Sequence, residues 1–171
     1  MKMENNEKLI TIFEKVQKVP YKVCMFDKDN ISKNLEYEDC RHKSHLLFIL
    51  LKQEGFEVKK VKVLFDWRDL PLPEEMIAIL KESDKVWPHD SVEVKIKDNW
   101  IKVDCTWNPE LGKVGFPITK DWNGISDTEQ VTKGNLQFFE FQEFNIKSNI
   151  IKEEAYKFTD KLNEFVQNVS S

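Results

Sequence analysis

The stretch that most restricts what this chain can become is Glu38 to Gly55, EDCRHKSHLLFILLKQEG, which sets one cysteine at the head of an almost wholly apolar run. Asp39 is a favoured N-cap residue and Gly55 stands where a left-handed residue ends a helix, so the spacing predicts a helix between them. Leu46 to Leu51 is apolar on every side, and a helix of that kind must be enclosed by the rest of its domain. The first turn is polar instead, which predicts that this end reaches the surface. Cys40 then sits among unpaired backbone N–H groups at the positive end of the helix dipole, a place that favours an anionic sulfur. A thiolate is the nucleophile that cysteine enzymes use.

The rest of the chain supplies elements to enclose that helix. Leu9, Ile10, Ile12, Phe13 and Val16 recur at helical spacing, giving an amphipathic helix from about Asn5 to Lys18 that Pro20 ends. Tyr21 to Phe26 reads as a short extended piece, and Asp27 to Asn30 with Ser32 as a loop leading to Cys40. Past Gly55, Val61, Val63 and Phe65 alternate as in a strand, and the Lys59–Lys60 pair marks a bulge where the alternation slips. Prolines bracket a short helix expected over Glu74 to Ser83. The 66–88 segment around it is an insertion, either a lid or specificity wall over a cleft or a helix that only packs. His89 to Ile96, a turn at Lys97 to Asn99, and Trp100 to Cys105 form the clearest hairpin. The Gly-, Pro-, Asn- and Asp-rich stretch 108–134 reads as surface loop, Leu136 to Phe144 as one more strand, and Asn149 to Val169 as a closing helix. With 171 residues, no repeat and no linker, one domain over residues 1–171 is expected.

Charge and cysteine usage narrow the partners. A net charge of −4 disfavours nucleic acid and anionic membrane, both of which call for a basic face. Cys24, Cys40 and Cys105 are odd in number and lack close paired spacing, so neither a disulfide framework nor a zinc ribbon is signalled, and a reducing, cytoplasmic setting is expected. The N-terminus shows no leader pattern, and no apolar run approaches the roughly 20 residues of a membrane span.

Cys40, His89 and Asp104 together form the set that thiol catalysis needs. The histidine takes the cysteine proton and later protonates the leaving amine, while the aspartate orients the ring and stabilises imidazolium. Singly, each has a plainer reading: a buried small side chain, a loop histidine, a cap for the following loop. As a set they favour catalysis. A metal at Cys40, His42 and His45 is disfavoured, because residues two apart on a helix point nearly opposite ways and residues five apart stand about 140° apart. His42 reads as a polar cleft wall or a helix-start hydrogen-bonding group, and no metal or cofactor is expected. Alternation sends Cys105 to the strand face opposite Asp104, as a buried structural thiol. Trp100 and Trp107 read as packing or rim residues.

Three blocks, EDCRHKSHLLFILLKQEGFEV, HDSVEVKI and NWIKVDCTW, stand in the order found in the transglutaminase-like superfamily, and the chain resembles its small prokaryotic members over about residues 38–107. That resemblance implies an α+β fold with a papain-like core, in which the cysteine helix packs on an antiparallel sheet between N- and C-terminal helices. It implies Cys40 as nucleophile, His89 as general base and acid, and Asp104 as the orienting residue. By analogy with papain-like enzymes, Asn34 would donate to the oxyanion beside the backbone N–H of Cys40. The chain departs from the family at two cleft positions, with Glu38 where glycine is common and Ser91 where an aromatic residue is common. The expected activity is hydrolysis of a peptide or protein amide, or transfer of its acyl group to an amine, through a Cys40 acyl-enzyme. The alternative is a protein-binding module that keeps the fold and has weak chemistry or none.

Overall fold

A computed structural model describes residues 2–23, 39–141 and 153–171. The expectations for Cys24, the 27–32 loop, Asn34, Glu38 and the start of the last helix fall outside them. The chain is α+β. Helix α1 (Lys2–Gln17) leads to α2 (Cys40–Gln53), then strand β1 (Val58–Asp66) and a short α3 (Glu74–Ile77). The hairpin β2 (Val86–Ile96) and β3 (Asn99–Val103) follows, then β4 (Gln137–Glu140) and α4 (Glu153–Ser170). The strands make one four-stranded antiparallel sheet in the order β3-β2-β1-β4. Helix α2 packs on β1 and β2, and α1 packs on α2.

Both ends of α2 follow from sequence. The Asp39 side chain accepts the Arg41 N–H, and Gly55 takes φ +85° while its N–H donates to Lys52 O and that of Phe56 to Leu51 O. This is the paired-bond Schellman ending, which needs a left-handed residue at that place. The middle of the helix differs from expectation. Leu47 and Leu51 are fully buried, but Ile49 is 37% exposed, and Lys43 and Ser44 of the polar first turn lie inside. The buried line is therefore Lys43, Leu47, Leu51, spaced four apart, with the sheet and α1 on its side.

Strand β1 contains no bulge. Its register with β2 runs unbroken from Val58↔Val94 to Asp66↔Val86. The slip in alternation has another cause: the strand is covered on both faces. Val58 joins a core of Leu9, Phe13, Leu47, Val92 and Val103 under α1 and α2. Phe65 joins a second core with Trp67, Trp107, Leu111, Phe158 and Leu162.

The second core corrects two further expectations. The helix beginning at Glu74 ends at Ile77, not Ser83, because Ile79 N–H and Leu80 N–H bond back three residues instead of four. That tighter turn carries Leu80 inward beside Met76 and Ile77, so the insertion packs into the core and contacts α4. The 108–134 stretch is not simply a surface loop: Leu111, Phe116, Trp122 and Val131 are buried. Trp107 stacks edge-on against Tyr21 at 4.6 Å and Phe116 at 4.9 Å, and its Nε1–H donates to Val131 O. Each such burial contributes about 1.5–3 kcal/mol over exposure, enough to hold an irregular backbone in place.

Candidate active site

Cys40 opens α2, half-buried and free of disulfide. Asp39 before it is buried and bound on both sides: Arg41 Nη2–H donates to Oδ2 at 2.7 Å, and His42 Nδ1 lies 3.2 Å from Oδ1. Burial by itself would raise the Asp39 pKa, but the hydrogen bonds and charges of His42 and Arg41 outweigh it and hold the carboxyl well below the usual range. The helix thus starts from a fixed ionic cap.

His89 and Asp104 come together through the hairpin. His89 lies in β2 opposite Val63 of β1, and the β2/β3 register pairs Val92 with Val103, so the chain just past β3 runs back alongside Ser91 and His89. His89 Nε2 is 2.6 Å from Asp104 Oδ2, and both side chains are almost wholly buried. Three further bonds fix the aspartate and its neighbour. Asp104 N–H donates to Thr128 Oγ1 at 2.8 Å, Thr106 N–H donates to Asp104 Oδ1 at 3.0 Å, and Thr106 Oγ1 lies 3.4 Å from His89 Nε2. Phe65 meets the imidazole edge-on at 6.0 Å.

Electrostatics favour the charged form of the histidine. Burial opposes its charge, but the Asp104 carboxylate and Cys40 more than reverse that, and the His89 pKa is pushed up to about 10. Asp104 moves the other way: burial would raise it, yet the charge and hydrogen bond of His89 and the two bonds from Thr106 keep it low. Cys40 is within hydrogen-bonding reach of the same ring. Since Nε2 faces Asp104, Nδ1 is the nitrogen left for the thiol. A sulfur, an imidazole and a carboxylate so ordered can pass a proton between the sulfur and a group leaving from a substrate.

The other residues singled out from sequence are distributed as follows. Ser91 is buried and its hydroxyl donates to Val103 O, tying the two hairpin strands beside the histidine. His45 Nδ1 is 2.7 Å from Lys60 Nζ, apart from the His42–Asp39 contact. Cys105 is buried in the α1/α2 core, where burial pushes its thiol up to about 12. Trp107 is buried, and Trp100 is exposed beside the β2/β3 turn with Lys59 Nζ 4.6 Å from its ring centroid. Two residues at the site were not singled out. Thr106 was readable, standing two beyond Asp104 and so on its side of an extended chain. Lys43 was not readable, because the unbroken apolar run behind it leaves the buried face of the helix unmarked.

Among the described residues no group of three or more His, Cys, Asp or Glu could hold a metal ion. Nor is any helix among them long and apolar enough to cross a membrane. No family model matches the chain, and no curated protein matches it.

Proposed function

We propose that the chain is a thiol enzyme of the transglutaminase-like, papain-like kind, acting on a peptide or protein amide. The observation that carries this reading is the buried His89, held by Asp104 at 2.6 Å and within hydrogen-bonding reach of Cys40 at the start of α2. Cys40 sulfur, as thiolate beside the His89 cation, attacks the amide carbonyl carbon. The backbone N–H of Cys40, in the first turn where no helical partner exists, steadies the oxyanion. The C–N bond breaks as the imidazolium proton passes to the departing nitrogen, leaving a thioester. Water, or an amine, then attacks the thioester while His89 takes its proton, and the C–S bond breaks to restore the thiolate. Free Cys40 and Cys105 fit a reducing compartment, in keeping with a cytoplasmic enzyme.

The test is the pH dependence of iodoacetamide alkylation at Cys40, followed by peptide mass mapping, in wild type and His89→Ala. The expected result is reactivity persisting to about pH 6 in wild type, where a thiol of ordinary pKa of about 8.5 stays protonated. The variant should lose it. The same loss in both proteins, or reactivity indifferent to His89, would refute a thiolate coupled to the histidine and favour the binding-module alternative.

A further inference from the structure

Lys43 is a charged side chain inside a hydrophobic domain, only 1% exposed. Its ammonium donates to three backbone carbonyls, Gln17 O at 3.0 Å, Val19 O at 2.6 Å and Thr106 O at 2.8 Å. These come from three parts of the chain: the end of α1, the turn after it, and the segment beyond β3. The backbone of the same residue takes part as well, since Cys105 Sγ–H donates to Lys43 O at 3.8 Å. Residue 43 is therefore bonded to both residues that follow Asp104.

Position gives this clamp its meaning. Lys43 lies three residues after Cys40, one turn along the same helix, so fixing it fixes the height and rotation of the cysteine. Thr106, on the other side of the clamp, donates its N–H to Asp104 Oδ1 and sets its hydroxyl 3.4 Å from His89 Nε2. A continuous path of bonds thus runs from the helix of Cys40, through the Lys43 ammonium and Thr106, to the His89–Asp104 pair. Resting on the thiol-enzyme reading, we propose that Lys43 is the positioning residue that holds Cys40 in register with His89. It acts through Thr106, whose carbonyl it holds. A methionine of similar length would fill the space but leave three carbonyls, two of them in buried bonds, without this donor, a loss that buried acceptors bear badly.

The experiment measures Cys40 alkylation from about pH 5 to 9, with adducts mapped by mass, in wild type, Lys43→Met and Lys43→Arg. Leu162→Ala serves as a control, a buried leucine of the other core whose loss destabilises without touching the clamp. All are assayed below their own unfolding temperatures. The expected result is a fall on the order of a hundredfold in the Lys43→Met rate at about pH 6, back to that of an ordinary thiol. Lys43→Arg should recover at least part of it, and the control should keep the wild-type profile. If Lys43→Met does not fold, Lys43→Gln, which keeps amide donors and no charge, decides on the same criterion. A folded neutral variant with the wild-type profile would overturn the positioning role while leaving the enzyme reading intact. An equal loss in Leu162→Ala would overturn it too, reducing Lys43 to general stability. An ordinary profile already in wild type would defeat the enzyme reading, and the role of Lys43 with it.

Discussion

His89 carries its charge against the pull of burial, and the sign of that balance can be checked by removing one side of it. In Asp104→Asn the carboxylate charge is gone, so burial becomes the leading influence and the His89 midpoint should drop from its alkaline position to or below the ordinary 6.5. Titration of the three histidine rings by NMR reads this directly, with His42 and His45 as internal references. A midpoint that stays above neutrality would assign the shift to Cys40 instead of Asp104. The grouping of Cys40, His89 and Asp104 was legible in sequence, from residue type and order. Of their supports, Thr106 was legible and Thr128 was not. Thr128 reaches Asp104 from 24 positions away, and no local pattern announces such a bond. Cys105 shows the opposite case, where simple alternation placed it correctly: buried and held up at about 12, it should resist iodoacetamide in the native protein. Mass mapping should find its adduct only after denaturant is added; labelling at the rate of Cys40 would show that the core under α1 and α2 opens readily.

Helix α2 carries two terminal devices whose removal should cost different things. Asp39→Ala deletes a buried cap that serves Arg41 N–H and its guanidinium, and should lower stability by about 1–2 kcal/mol in urea unfolding. At the far end, a Cβ on Gly55 would meet nothing within 4 Å, so Gly55→Ala should cost only the backbone strain of its φ of +85°, about 1 kcal/mol. Gly134 is the steric counterpart. A Cβ there would fall 1.9 Å from Asp69 Oδ2 and 2.8 Å from Asp69 Cβ, and rotation of the aspartate does not move its Cβ away. Gly134→Ala should therefore cost about 1–3 kcal/mol. A smaller loss at Gly134 than at Gly55 would mean that the 132–134 segment yields easily. Both ends of α2 were readable because capping is local chemistry. Which of its faces is buried was not, since six consecutive apolar residues carry no periodicity, and the polar Lys43 is what completes the buried line.

At the scale of the whole molecule, the layout depends on β1 being covered on both faces, by α1 and α2 on one core and by α4 with the 108–134 stretch on the other. The sequence showed the first core through its helical spacings. It hid the second, because Leu111, Phe116 and Val131 sit among turn-forming residues with neither strand nor helix period. The His89–Asp104 pair is buried within this arrangement, so its ionisation is coupled to folding as a unit. In the unfolded chain His89 titrates near 6.5, and in the folded protein near 10. Between those values the native state holds a proton that the unfolded state has released. The stability this contributes is complete below about pH 6.5 and is lost as pH rises toward 10, with a slope of at most about 1.4 kcal/mol per pH unit. Asp39 and Asp104, both held low, act in reverse: their contribution is present above the ordinary carboxylate range and is lost as pH falls below it. Urea midpoints taken at a series of pH values should then decline from about pH 7 to 10 in wild type. The decline should flatten in His89→Gln, whose side chain cannot titrate. Parallel curves for the two proteins over that interval would mean that the buried imidazole is neutral, and that the cation on which the proposed proton transfer depends does not form.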